Sequence, residues 1–425
     1  MKTTSISQTK IKSIMLIILC GWIFMGTGLS SSFGQNQEFV EYKGQVMDAN
    51  SGDPIPEAHL SVEHTNISGL ANKNGVFTLK IPKDLDQSVV NFFKVNYEPK
   101  SVQLPFFDED FTEIILEPAV LKPENLGQVE IYHGLDPLLI VEKALKKHRP
   151  IEGKLVGFYR EKIDRGRRNV LLGEAVLQVD QDKYIRGNKG EISIYKSRKR
   201  TDYKRLDTLA VKLRGGPYSG LHLDLAAYPQ YVFYERDLDA FKFEFEEPTT
   251  IEGRYVYVIY FEQLDKDYPW YYGTMFIDAK NNALLKVDYN LNVDNKRAAT
   301  RMLVVQKPRR IKVTPLEVNY QAEYVEKNGQ WYFNYGQFFI QLRVNWKGKL
   351  FNARYNIHTE LAVFDRSSED FFPKKDLTRI KPTVVLTDDI SGFEDPQFWG
   401  ANNIIHPDKS LQEIIEEIEI EGVNR

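Results

Sequence analysis

Apolar and polar side chains alternate with a period of two along much of the chain, as expected of strands with one covered face. Ala58, Leu60 and Val62 alternate with His59, Ser61 and Glu63, and Phe77, Leu79 and Ile81 alternate with Val76, Thr78 and Lys80. Val89 to Val95 is a denser apolar run, suited to a strand covered on both faces, and Val102/Leu104 and Ile114/Leu116 resume the alternation. Turn formers separate the runs: Asn50 to Pro54, Asn72 to Gly75, and Pro82 to Asp84. Short strands about ten residues apart with no helical stretch predict a small antiparallel β-sandwich over residues 35–118.

Residues 119–152 read as a linker, with a strand at Val129 and Ile131 and a helix that begins at Asp136-Pro137, an N-cap acceptor followed by proline at the first helical position. Residues 153–365 predict a second, larger β domain. Its strands fall near Leu155–Ile163, Val170–Val179, Tyr184–Arg186, Ile192–Tyr195, Tyr231–Tyr234, Phe241–Phe245 and Tyr255–Phe261, then near Tyr271–Ile277, Leu284–Leu291, Val318–Tyr324, Trp331–Leu342 and Phe351–Thr359. The turns Asp278–Asn282 and Glu326–Gly329 are hairpin signals, so the sheet is antiparallel and meandering. Through its middle both faces are apolar or aromatic. In the tail, 366–425, Phe398 and Trp399 are expected to anchor the chain onto the sheet, and Ser410 to Glu413 form a capping box that opens a short helix. The fold class is therefore mainly β: an N-terminal sandwich, then a larger curved antiparallel sheet with a few short helices.

The 425 residues carry a formal net charge of -3 with 42% hydrophobic residues, the composition of a folded chain without the basic excess that a nucleic-acid partner needs. Lys2, Lys10 and Lys12, the apolar run Ile14–Met25 and the small residues to Gly34 have the order of a secretory signal peptide over residues 1–34. The apolar run is too short to span a bilayer, which takes roughly 20 residues. The single cysteine, Cys20, lies inside it, so the chain beyond has no disulfide framework and no Cys-based metal site. Localisation is expected to be the periplasm or the outer-membrane periphery. An outer-membrane barrel is opposed by the charged C-terminal segment and by charged strand faces such as Arg198-Lys199-Arg200.

The strings Gly44–Asp48, Gly52-Asp-Pro-Ile-Pro-Glu-Ala58, Asn72–Phe77 and Ile81-Pro82 resemble the carboxypeptidase-like regulatory domain. That resemblance implies a transthyretin-like β-sandwich, of the kind found beside zinc carboxypeptidases and in front of TonB-dependent receptors of Gram-negative bacteria. The hairpin from Tyr272 through Asp278 to Val287 is similar, in its strand, Asp turn, strand pattern, to the half-barrel of periplasmic lipoprotein carriers of the LolA type.

Catalytic chemistry finds little footing. None of the seven histidines has glutamate three residues later, as a zinc carboxypeptidase requires, and His59 and His64 read as surface or rim residues. Arg214 to Gly220 lacks the endings of a phosphate loop or a nucleophile elbow and reads as a loop at the sheet rim. The acidic pairs Asp237/Asp239, Asp265/Asp267 and Asp388/Asp389 lack the spacing of a calcium loop. The expectation is a non-catalytic exported envelope protein without cofactor or metal, a binding or scaffold module. Its partner would be another envelope protein, or an apolar or carbohydrate ligand on the larger sheet. The alternatives are a LolA-like lipid or lipoprotein carrier and, with no zinc motif behind it, a carboxypeptidase-associated hydrolase. Tyr257, Tyr260, Trp270, Tyr272, Trp331 and Phe339 are the candidate ligand-lining residues.

Overall fold

The structure is a computed structural model. It describes residues 38–107, 110–119, 134–147, 153–181, 191–202, 212–213, 216–233, 237–251, 253–327, 329–347, 352–381, 393, 395, 397–408 and 413. The signal peptide, the strand at 129–131, the strand at 184–186 and the helix that the capping box would open lie outside the described residues, apart from Glu413.

Seven strands build the first body: β1 (Phe39–Asp48), β2 (His59–Val62), β3 (Ser68–Leu70), β4 (Val76–Pro82), β5 (Val89–Phe93), β6 (Lys100–Gln103) and β7 (Thr112–Leu116). They form two sheets, ordered β4-β1-β7 and β3-β2-β5-β6. The expected alternation holds, with Leu60, Val62, Phe77, Leu79, Ile81, Val90, Phe92, Ile114 and Leu116 all buried in one core. The pairing is not wholly antiparallel as the sequence suggested, because β7 runs parallel to β1. Gly75 holds the turn before β4 with φ +71°, and a Cβ there would lie 2.5 Å from the Val46 carbonyl oxygen.

The second body is a single large sheet. Its strands are β8 (Lys154–Arg165), β9 (Arg168–Asp180), β10 (Glu191–Thr201), β12 (Phe241–Phe245), β13 (Thr249–Ile251), β14 (Arg254–Gln263), β15 (Tyr271–Asp278) and β16 (Leu284–Leu291), then β18 (Ile311–Lys327), β19 (Gln330–Trp346), β20 (Ala353–Ser367) and β21 (Thr378–Arg379). The short strands β11 (Lys212–Leu213) and β17 (Val304–Gln306) pair with each other outside it. The order is β12-β14-β15-β16-β18-β19-β20-β8-β9-β10-β21, with β13 paired to β14, so the sheet is open and its edges stay apart. It is curved and antiparallel, as expected. Gly273 marks a close approach to β16, for a Cβ there would sit 2.1 Å from the Asp288 carbonyl oxygen.

Three helices flank the sheet among the described residues: Pro137–Lys147, Pro217–Leu221 and Lys296–Leu303. The first starts where the sequence placed it, with Asp136 Oδ1 accepting from the Leu138 N–H at 2.9 Å. The third was not anticipated; Asn295 caps it by accepting from Ala298 N–H at 3.1 Å. The aromatic run expected as a strand at Tyr231–Tyr234 is instead a tight turn at Pro229–Tyr231 followed by irregular chain, with residue 234 outside the described residues. Proline cannot donate into a ladder, and the Pro229 carbonyl accepts from Val232 and Phe233 to close the turn.

Candidate functional site

The large sheet is buried on its inner face and partly covered on its outer face. Its inner face carries the main core: Tyr159, Ala175, Leu177, Tyr257, Ile259, Phe261, Met275, Val287, Tyr289, Ala322, Phe338, Ile340, Ile357 and Leu361. Residues 216–233 contribute Tyr218, Leu221, Leu223, Leu225, Ala226, Ala227, Tyr228, Val232 and Phe233 to the same core, and the helices Pro137–Lys147 and Lys296–Leu303 add Ile140, Val141, Ala144, Ala299 and Leu303. The segment read as a rim loop at 214–220 is thus, from Gly216 on, part of a buried plug: Tyr218, Gly220 and Leu221 are all buried. Its backbone closes turns on itself, for example Tyr228 N–H to the Asp224 carbonyl at 2.8 Å. Side-chain bonds tie it to the sheet. The Tyr324 hydroxyl accepts from Ala226 N–H at 3.0 Å and donates to Asp224 Oδ1 at 3.1 Å, and the Tyr218 hydroxyl accepts from Ile192 N–H at 3.2 Å.

Asp224 is therefore a carboxyl group inside an apolar plug. Burial pushes its pKa up to about 6, against the Ala227 N–H and the Tyr324 hydroxyl, which favour the charged form. A raised acid pKa stabilises the fold fully below the ordinary value of 3.8 and loses that contribution as pH rises through about 6. Asp224→Asn keeps an acceptor for both donors and removes the buried charge. It is expected to raise stability at pH 8 by about 2–3 kcal/mol and to leave it nearly unchanged at pH 4, as read by urea unfolding at the two pH values. Equal effects at both would contradict this account.

The outer face of the sheet meets the sandwich and the tail. Here the polar side of β2 is buried, not solvated: His59 is only 3% exposed, which corrects its reading as a rim residue, whereas the side chain of His64 is indeed exposed. His59 Nε2 faces the Glu323 carboxylate in a direct contact, the Asn334 amide donates to His59 Nδ1 at 2.7 Å, and Phe93 stacks on the ring at 5.1 Å. Lys94 lies 3.9 Å from Glu323 and 3.5 Å from Glu57, and Lys286 lies 3.9 Å from Glu323. Burial raises the Glu323 pKa, but Lys94, His59 and Lys286 outweigh it and hold the carboxyl well below its usual range. A cavity of about 20 Å³ adjoins His59, Lys94, Lys286 and Glu323, room for about one water molecule.

A second ionic cluster underlies the tail. Glu174 is fully buried and accepts from Arg160 Nε at 2.8 Å and from Arg198 Nε at 2.7 Å. Arg160 also donates to the Ile405 carbonyl at 2.5 Å. Trp399 packs edge-on against Phe158 at 5.4 Å and lies 5.0 Å from the Arg198 guanidinium, so the tail is anchored through Trp399 as the sequence suggested. Residues 400–408 then fasten the sandwich: Asn403 Oδ1 accepts from Lys80 N–H at 2.7 Å, and Asp408 Oδ1 accepts from Lys73 N–H at 3.1 Å.

The six candidate ligand residues do not converge on one site. Tyr257 and Trp331 are buried in the inner core, the latter under the Arg254 guanidinium at 5.2 Å, and Trp270 packs on its margin between Phe241 and Tyr268. Tyr260 and Tyr272 lie diagonally on the opposite face of β14 and β15 from Tyr257, Tyr260 paired with Thr274 and Tyr272 with Glu262, and Tyr272 is exposed. Phe339 is also on the outer face, 4.7 Å from the His358 ring. Sequence reasoning missed Asp224, Arg366, His59 and Glu323. For Arg366, His59 and Glu323 the available signal was a polar residue alternating into a strand; Asp224 lies off the strands, in the plug, where no such signal exists. Among the described residues no group of three His, Cys, Asp or Glu side chains could hold a metal ion. No described helix is long and apolar enough to cross a membrane.

No family model matches the chain, and no curated protein is similar to it. Solved structures similar to it include a domain described as an outer-membrane lipoprotein-sorting protein from Vibrio parahaemolyticus, 12% identical over 56% of this chain and 95% of that one, with a TM-score of 0.23. A LolA superfamily protein from Nitrosomonas europaea is 9% identical over 57% and 97% of the two chains, with a TM-score of 0.22. The MucA/MucB complex of Pseudomonas aeruginosa matches at 11% identity over 54% and 94%, with a TM-score of 0.17.

Proposed function

We propose that the chain is an exported, non-catalytic carrier of the cell envelope that takes an apolar ligand against the inner face of its large sheet, in the place held by residues 216–233. The observation that carries this reading is the nature of that cover. A largely irregular segment, 216–233, supplies the largest share of the cover over that apolar face, beside the helices Pro137–Lys147 and Lys296–Leu303, and it closes backbone bonds on itself. Such a cover has little regular structure to lose on leaving, and segments of that kind are drawn from the less stable parts of a fold. Export to the periplasm rests on the leader pattern of residues 1–34 and on a chain with no cysteine beyond Cys20.

The sandwich, on this reading, is a carboxypeptidase-like regulatory module with a transthyretin-like arrangement that positions the carrier next to another envelope protein. Two facing sheets of three and four strands, and the glycine turns at Gly52 and Gly75 with φ of +72° and +71°, support it.

Delipidated full-length protein, freed of its leader, is expected to take up a fluorescent long-chain fatty acid at a ratio near one to one. Amide exchange of residues 216–233 should rise on loading. Folded protein that shows no saturable uptake sinks the carrier reading.

A further inference from the structure

Arg366 lies at the end of β20 in register with Leu155, so it shares the inner face with the main core. Its guanidinium is poorly satisfied. Nη2 donates to the Phe333 carbonyl, and the group lies 4.8 Å from the Tyr332 ring, but Nε and Nη1 are buried without a hydrogen-bond partner. A buried N–H left unpaired costs of the order of a kcal/mol or more, and a charged one costs more. The neighbouring Asp365 does not supply the missing acceptor, since its Oδ1 accepts from the Arg366 backbone N–H at 2.7 Å. Lys327 is a second cation at the same end of the sheet, its Nζ donating to the Asn66 carbonyl at 2.7 Å. Burial comes first in lowering both basic groups, to about 8 for Lys327 and about 10 for Arg366, and the positive charge of Arg366 lowers Lys327 further. Arg366 thus leaves two buried donors of a cationic group unpaired at this end of the inner face, with Lys327 on the opposite face of the same sheet end.

The anion turned toward it comes from the plug. Asp224 accepts from Tyr324, which packs edge-on against Phe333 at 6.1 Å, and Phe333 is the residue whose carbonyl holds Arg366. Asp224 and Arg366 attract electrostatically across that pair without forming an ion pair within 4 Å. Leu223, Leu225, Ala226 and Ala227, on either side of Asp224, fill the apolar core. One acid flanked by apolar side chains has the make-up of an anionic amphiphile.

We infer that residues 223–227 act as a built-in stand-in for the ligand, and that the true ligand is an amphiphile whose carboxylate or phosphate head binds Arg366 at its unpaired Nε and Nη1. The inference rests on the carrier reading and adds the head-group class. Displacing the plug would remove the Asp224 carboxylate from the neighbourhood of the incoming anion while its acyl chain replaces the leucines.

The test compares oleoyl lysophosphatidate with monooleoylglycerol, which share an acyl chain and differ in charge, by calorimetry below their critical micelle concentrations at pH 7.5. The wild-type chain is expected to bind the anionic lipid at least tenfold more tightly. Arg366→Gln should bring the two within about twofold by weakening the anionic lipid alone. Titration with sodium oleate under the same conditions separates the heads: binding as tight as lysophosphatidate assigns a general anion site, and weaker binding a phosphate site, both within the inference. Equal binding of the charged and neutral lipids by the wild type overturns the inference, whether or not the variant folds, and leaves the carrier reading standing. Binding of none of them overturns both.

Discussion

Replacing Glu174 with glutamine is expected to destabilise the chain by about 3–5 kcal/mol, the usual cost of breaking a buried ion pair from one side. The carboxylate is fully buried between two guanidiniums, with Arg160 Nη2 at 2.7 Å from Oε1 and Arg198 Nη2 at 2.6 Å from Oε2. Burial alone would raise its pKa, yet the two arginines hold it below the ordinary carboxylate value. Glutamine would leave both cations uncompensated and set an amide N–H against their donors. The damage should reach the tail, because Arg160 also holds the Ile405 carbonyl and Arg198 lies against the Trp399 ring. Urea unfolding at pH 7 gives the loss of stability, and limited proteolysis should cut within 397–408 sooner than in the wild type. A loss under about 1 kcal/mol would mean that water already screens the cluster.

The second large effect is at Glu323, where glutamine should cost about 3–4 kcal/mol at pH 7 by the same argument. The neighbours here come from both bodies: His59 and Lys94 from the sandwich, Lys286 from β16. The pH dependence has a definite sign. A carboxyl group whose folded pKa is depressed stabilises the fold above its unfolded value of 4.5 and loses that contribution as pH falls toward the folded value. The gap between wild type and Glu323→Gln should therefore be widest at neutral pH and narrow progressively below about pH 4.5. Amide exchange should quicken first in β2 and β5, which carry His59 and adjoin Lys94. A gap that stays constant down to pH 3 would place the effect in packing rather than charge.

Much of this architecture was legible because strand alternation is local. Phe241–Phe245 and Leu284–Leu291 match β12 and β16 end to end, since the apolar or aromatic alternation within each run marks a strand without reference to distant chain. The parallel pairing of β7 with β1 was not legible, for alternation carries no strand direction. The helix Lys296–Leu303 escaped notice because it is short and carries only a narrow apolar stripe, with Ala299 and Leu303 as its buried residues. The site fared worst. Tyr257 and Tyr260 are three apart on one strand and both looked like lining residues, but a period of two puts them on opposite faces. Which face turns inward depends on distant chain, namely 216–233 on one side and the sandwich on the other. His59 looked solvated for the same reason: its strand has a polar side, and only the docked large sheet makes that side interior.

The strap formed by residues 397–408 has a temporal consequence. Its partners Asn72, Lys73 and Lys80 lie more than 300 positions earlier in the chain, so closing these contacts joins the two most distant parts of the described fold. Contacts of such long sequence separation form late, because a long loop must be closed before they repay its entropy. The core of the sandwich is drawn from residues 46–116 alone, whereas the strap adds to its direct contacts with the large sheet a set of bonds that closes only across more than 300 residues.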